Sequence, residues 1–297
     1  DGNNVAIGME SGKLMTTGVE NVLMGSLAGD ALTTGSYNTA IGFSALTTED
    51  AHGYNTAMGY RALHNLNAGA NAYNVAIGAD AGLNMTTGKE SVIVGGLAGD
   101  AITTGTRNTL IGYIAGTALV EGGSNVAIGY AALAGETAHG ANVAIGYNVL
   151  TVQNAGANAF NVAMGYNAAG SVTTGVFNVV IGAEAGDALT TAQANTVLGA
   201  QALGAEDTSS FNTAIGSQAL QVQDGGVGNT ALGRQAGLAV STGDNNTIIG
   251  TNAGDALTTG SNNIIIGKAA AASAVSASNT TVVGTTATTS ALVHGLK

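Results

Sequence analysis

Asn142-Val143-Ala144-Ile145-Gly146 is one copy of a pentad that runs from end to end of a 297-residue chain. Seventeen copies begin at residues 4, 21, 38, 55, 74, 91, 108, 125, 142, 161, 178, 195, 212, 229, 246, 263 and 280. Fourteen of the sixteen spacings are 17 residues, and the coils opening at 55 and 142 hold 19. The fifth position is always Gly, and the first is Asn except at Ser91 and Thr280. A period this short and constant marks a solenoid rather than a fold of scattered elements.

Seventeen residues cannot hold two helices and a turn. They can hold two short strands and two turns, which is one coil of a parallel β-solenoid or β-roll. The expected fold is therefore all-β, with about seventeen coils over residues 1–284 and a closing segment at 285–297 that loses the pattern. At ~4.7–4.9 Å per stacked strand the array would extend on the order of 80 Å.

Within the pentad, positions two and four (Val, Thr or Ile; Ile, Val, Leu or Met) share one face of a strand, and position three points to the other. Both faces are apolar, the pattern of a strand covered on both sides. A thin solenoid has one interior, so the second face needs other cover, most simply further copies of the chain. Ala stands at the eighth position in fifteen of seventeen coils, which reads as a second strand with Ala packed inside. A turn follows, often Thr-Thr-Gly, as at Thr33-Thr34-Gly35 and Thr258-Thr259-Gly260.

The ladder residues have backbone explanations. Gly146 and its equivalents suit a turn that needs positive φ or a close backbone approach. Asn142 and its equivalents can stack amide on amide between coils and suit a turn. Ile145 is expected in a buried column. The two long coils carry matched insertions, Asn67-Ala68-Gly69-Ala70-Asn71-Ala72 and Asn154-Ala155-Gly156-Ala157-Asn158-Ala159. Near-identical coils make slippage by a whole coil the expected folding error, and these two coils are candidates for fixing the register.

Composition agrees with a stacked array. Gly accounts for 47 residues, Pro and Cys for none, and only 8% of residues are charged; an average domain has about 25%. Pro would interrupt a ladder of backbone donors. Without Cys there are no disulfides and no thiolate metal sites. The net charge is −11 with seven basic residues and no basic cluster, so a nucleic-acid partner is not expected. No apolar run approaches the ~20 residues of a membrane span, so no membrane insertion is expected.

All twelve aromatics fall in two columns. Tyr37, Tyr54, Tyr73, Phe160, Phe177 and Phe211 precede the pentad; Phe43, Tyr60, Tyr113, Tyr130, Tyr147 and Tyr166 follow its Gly. Tyr113, Tyr130, Tyr147 and Tyr166 lie in four successive coils, a stacking ladder or a glycan-contacting stripe. Asp30, Asp100, Asp187 and Asp255 share one column but not adjacent coils, so they cannot share an ion and read as solvated turn carboxylates. His52, His64, His139 and His294 show no carboxylate or Ser at consistent spacing. No residues break the repeat together as a catalytic constellation would. An enzyme, a cofactor and a metal centre are all not expected. The Thr-Thr pair is complete in only seven of seventeen coils, short of the array an ice-binding face needs.

The Asn-Val-Ala-Ile-Gly pentads, with Ala a few residues on, resemble the head repeats of trimeric autotransporter adhesins. Coils such as Asn38-Thr39-Ala40-Ile41-Gly42-Phe43-Ser44-Ala45-Leu46 are similar to the 17-residue repeats of phage tail-fibre proteins. Thr280-Thr281-Val282-Val283-Gly284 through His294-Gly295-Leu296-Lys297 resembles the approach to the chaperone domain that often follows in that family. The resemblance implies a non-enzymatic homotrimeric fibre at a virion or cell surface, outside the cell, whose partners are its own copies and a surface glycan or receptor. It carries over no catalytic residue. The array begins at Asn4 without a polar cap, so a filament stacked end to end is the alternative, and an ice- or glycan-binding solenoid the third.

Overall fold

The computed structural model describes residues 2–205 and 208–285. The chain divides into two compact units, Asp1–Ala159 and Phe160–Lys297. Nine strands, β1 (Val5–Ile7) to β9 (Val143–Ile145), belong to the first, and eight, β10 (Val162–Met164) to β17 (Thr281–Val283), to the second. The chain is an all-β parallel β-solenoid of about sixteen turns, with no helix among the described residues. Of the expected closing segment, 286–297 lies outside the described residues.

Every strand is positions two to four of a pentad, and each pairs in parallel with the next coil of its unit at the same pentad position. Thus Val126, Ala127 and Ile128 lie beside Val143, Ala144 and Ile145, and Thr213, Ala214 and Ile215 beside Thr230, Ala231 and Leu232. The middle residue enters the core: Leu23, Ala40, Ile93, Leu110 and Ala144 in the first unit, and Val180, Val197, Ile248 and Ile265 in the second, are fully buried. Each larger one contributes roughly 1.5–3 kcal/mol before entropy is counted. A one-residue slip would put positions two and four inside instead.

The eighth-position Ala also enters the core, as Ala28, Ala62, Ala98, Ala202 and Ala253 do. The expected second strand, however, does not form. Its residues sit in the left-handed region: Leu27 (φ 60) and Gly29 (φ 56) flank Ala28, and Ser44 (φ 53) and Leu46 (φ 53) flank Ala45. A strand requires negative φ, so this side of the coil is a chain of turns. Its backbone groups are still paired between coils, with Leu27 N–H donating to the Met9 carbonyl at 2.9 Å and Leu46 N–H to the Ala62 carbonyl at 3.0 Å. A left-handed non-Gly residue costs roughly 1–2 kcal/mol. These inter-coil bonds hold it there, because an unpaired buried amide costs as much.

A third buried column closes the coil eleven residues after the Asn. It holds Leu32, Leu66, Met85, Ile102, Leu119, Val172, Leu189 and Val240, all fully buried.

Candidate functional site

The site-forming features are what this scaffold leaves outside. Asn142 and Gly146 lie at the two ends of a strand as framework. Asn142 is fully buried. Its backbone N–H donates to Asn125 Oδ1 at 3.1 Å and its Nδ2 to the same oxygen at 3.3 Å. Across the array the Asn oxygen chiefly takes the next coil's backbone N–H, a use additional to the expected amide stack. The Nδ2 group typically reaches the carbonyl fourteen residues on, as Asn108 does to Gly122 at 2.8 Å. Ser91 keeps the acceptor, its hydroxyl taking the Asn108 N–H at 3.2 Å. Gly146 has φ 134, and a Cβ on Gly129 would fall against the Gly146 carbonyl oxygen, so both expected reasons for Gly hold.

Ile145 is not in the interior. Ala144 is, and Ile145 is half-buried on the outer face of the strand beside Val143. The alternation of a strand allows one inward residue here, and closure of the coil selects the middle one. Positions two and four of each unit therefore form an open sheet face. Ile77 is 39% exposed and Met58 37% in the first unit, and Leu198 and Leu232 are each 46% in the second. No residue at either position is charged in any coil.

The aromatic columns are rails along this face. In the first unit Tyr113 stacks on Tyr130 with centroids 5.9 Å apart, and Tyr130 on Tyr147 at 5.0 Å. Tyr37, Tyr54 and Tyr73 stack at 4.9 and 5.0 Å, and Phe43 on Tyr60 at 5.6 Å. In the second unit Phe160 stacks on Phe177 at 5.5 Å, and Tyr166 is exposed. Near-parallel stacking turns each inner ring's faces toward its neighbours. A sugar ring would find ring edges along a column. Arg61 lies 4.8 Å from the Tyr60 centroid and forks onto Asp80 at 2.8 and 3.0 Å, a carboxylate contact that raises its pKa.

The Asp column is less solvated than expected. Burial pushes the Asp30 and Asp187 carboxyls above the ordinary range, with Glu10 and Glu184 adding repulsion. Both are half-buried. Asp100 accepts the Thr117 hydroxyl at 2.6 Å, and Asp255 is half-buried. In the second unit the Glu184 carboxylate ends a side-chain ladder, with Gln201, Gln218, Gln235 and Asn252 each donating to the coil before.

Two of the four histidines do have a carboxylate at consistent spacing, which corrects the expectation. Glu49 and Glu136, both fully buried in the mostly apolar third column, which also holds buried Gln153 and Gln223, lie three residues before His52 and His139. Glu49 Oε1 takes the His52 N–H at 3.1 Å and lies 3.2 Å from His52 Nδ1. Glu136 Oε1 takes the N–H groups of Thr137, Ala138 and His139 at 3.1, 3.3 and 3.1 Å. The legible signal was Glu-x-Ala-His-Gly, at 49–53 and again at 136–140. Glu49, Asp50 and His52 form the one cluster of metal-type ligand atoms among the described residues, but the Glu49 oxygens in it already accept N–H groups. His64 Nδ1 lies 3.2 Å from the Ser44 carbonyl, and His294 lies outside the described residues.

No family model matches this chain, and no curated protein shows significant similarity to it.

Proposed function

We propose that the chain is a non-enzymatic fibre segment that provides reach and attachment at a cell or virion surface, and that it works as a parallel homotrimer joined along the open strand face. The observation that carries this reading is the uncharged, half-exposed face that positions two and four present in coil after coil, aliphatic or Met at position four and Val, Ile or Thr at position two. Nine strands at ~4.8 Å, between aromatic columns about six residues apart, make this face on the order of 800 Å² in the first unit alone. Soluble monomers rarely expose contiguous apolar patches beyond a few hundred Å², and a stable interface takes about 800 Å² per partner. A second copy is the partner whose coil spacing matches by construction, and parallel chains put like coils side by side. Threefold closure rests on the resemblance of the pentads to trimeric fibre repeats. An attachment role to a surface glycan or receptor rests on the same resemblance.

The test is light scattering on the purified chain across micromolar concentrations. A discrete mass near three chains is expected. A well-folded monomer overturns the association, and an open-ended series of masses replaces the trimer with an end-to-end filament.

A further inference from the structure

We propose that the two 19-residue coils act as register locks, each clipped to the coil before it by a buried glutamate and an exposed asparagine that meet partners in one stacking register only. The problem they solve follows from the repeat. Neighbouring coils present the same Asn, Gly, strand and Ala positions, so stacking one coil on the next but one, with a coil looped out, preserves most contacts. Loop closure adds little penalty, since each doubling of length costs only about 0.6 kcal/mol. In a nearest-neighbour array such slips are close in energy to the native order.

Two pairs of coils break the degeneracy. In the first, Glu49 Oε2 takes the Ala68 N–H at 3.2 Å, inside the insertion of the following coil, and Gly53 N–H donates to Asn71 Oδ1 of that insertion at 3.1 Å. In the second, Gln153 Nε2 donates to Glu136 Oε2 at 3.3 Å, and Gly140 N–H to Asn158 Oδ1 at 3.0 Å. The Glu-x-Ala-His-Gly segment occurs before an inserted coil both times, at the same offset of 87 residues.

Wrong neighbours are penalised as well. The column that holds Glu49 and Glu136 is filled in most other coils by Leu, Met, Ile or Val. A slipped stack would take the Ala68 N–H from Glu49 and the Gln153 amide from Glu136, leaving a buried carboxylate oxygen beside such side chains with no donor, which is costly. Asn71 and Asn158 would lose the Gly N–H groups they accept.

Hydrogen exchange read by mass spectrometry on the full chain, refolded from denaturant, tests the lock. Peptides spanning 38–73 and 125–159 of the unaltered chain should each give one isotope envelope. The quadruple variant E49Q/E136Q/N71A/N158A should show a second, less protected envelope, with the ratio of slipped to native chains raised at least about tenfold. N71D/N158D keeps both acceptor oxygens and should give one envelope. If the quadruple variant does not fold, N71A/N158A alone, at two exposed positions, is read in the same way. A single envelope with unaltered protection in the alanine variants overturns the proposal. So does a second envelope of equal size in N71D/N158D, since the acceptor oxygen would then be irrelevant. Neither outcome depends on whether the chain is a trimer.

Discussion

Asn125 Oδ1 accepts the backbone N–H of Asn142, seventeen residues on, at 3.1 Å, while Asn125 Nδ2 donates to the His139 carbonyl at 3.2 Å. One side chain thus ties the start of its coil to the next and closes its own turn. Neither the amide N–H of a buried strand start nor a buried turn carbonyl can be left unpaired without a penalty of roughly 1–3 kcal/mol. The repeated Asn is the residue short enough to serve both.

Asn108 gives a graded test of that role. Asn108→Ala removes the acceptor for the Asn125 N–H at 3.0 Å and the donor to Gly122 at 2.8 Å, and should cost about 2–4 kcal/mol by chemical denaturation. Asn108→Ser should cost about half as much, because Ser91 shows that a hydroxyl can serve as the acceptor. Equal losses in the two variants would mean that the side-chain oxygen contributes nothing.

Ala144 and Ile145 separate core from face. Ala144→Asp puts an unpaired charge into a fully buried position and should cost about 3–5 kcal/mol. Ile145→Asp changes a half-buried residue on the open face. Its cost within one chain should be about 1 kcal/mol, while the mass measured by light scattering should fall toward one chain. A similar fall in melting temperature for both, with mass unchanged, contradicts the assignment of the faces.

Gly129 and Gly69 contrast two reasons for glycine. Gly129 has φ 130 and no room for a Cβ beside the Gly146 carbonyl, whereas Gly69 has φ 66 with no atom within 4 Å of its Cβ position. Gly69→Ala should cost about 1 kcal/mol from backbone strain alone. Gly129→Ala adds the clash and should exceed about 3 kcal/mol. Matching urea midpoints for the two would show that the close approach between coils is not tight.

Asp30 and Asp187 give a pH signature. Their folded pKa values lie above the ordinary 3.8 because burial disfavours the charged form. The folded chain therefore holds these protons more tightly than the unfolded one. Each charge destabilises above its folded pKa, and the effect fades as pH falls through that value to the ordinary one. Asp30→Asn and Asp187→Asn should each raise the melting temperature slightly at pH 7 and lose that advantage below about pH 3.8. A lower melting temperature at pH 7 in both variants would show that the charges are stabilising where they stand.

The pentad by itself determined the period, the parallel stacking, the strand at positions two to four, the Asn ladder and the need for Gly at position five. All of these follow from residue type at fixed spacing. The Glu-x-Ala-His-Gly spacing was also legible, but its meaning was not, since Glu49 gains its role from Ala68 and His52 only when coils stack. Two features were decided by tertiary structure. The pentad is apolar on both faces, so nothing in Val143-Ala144-Ile145 says which side is the interior. Closure of the coil over the small Ala144, buried with Val149 and Leu150 of the same coil, sends Ile145 outward. The second side of the coil reads as a strand because Leu27, Ser44 and Leu46 carry no mark of positive φ. Backbone hydrogen bonds to the coils on either side compensate for left-handed residues that isolated local preference would reject.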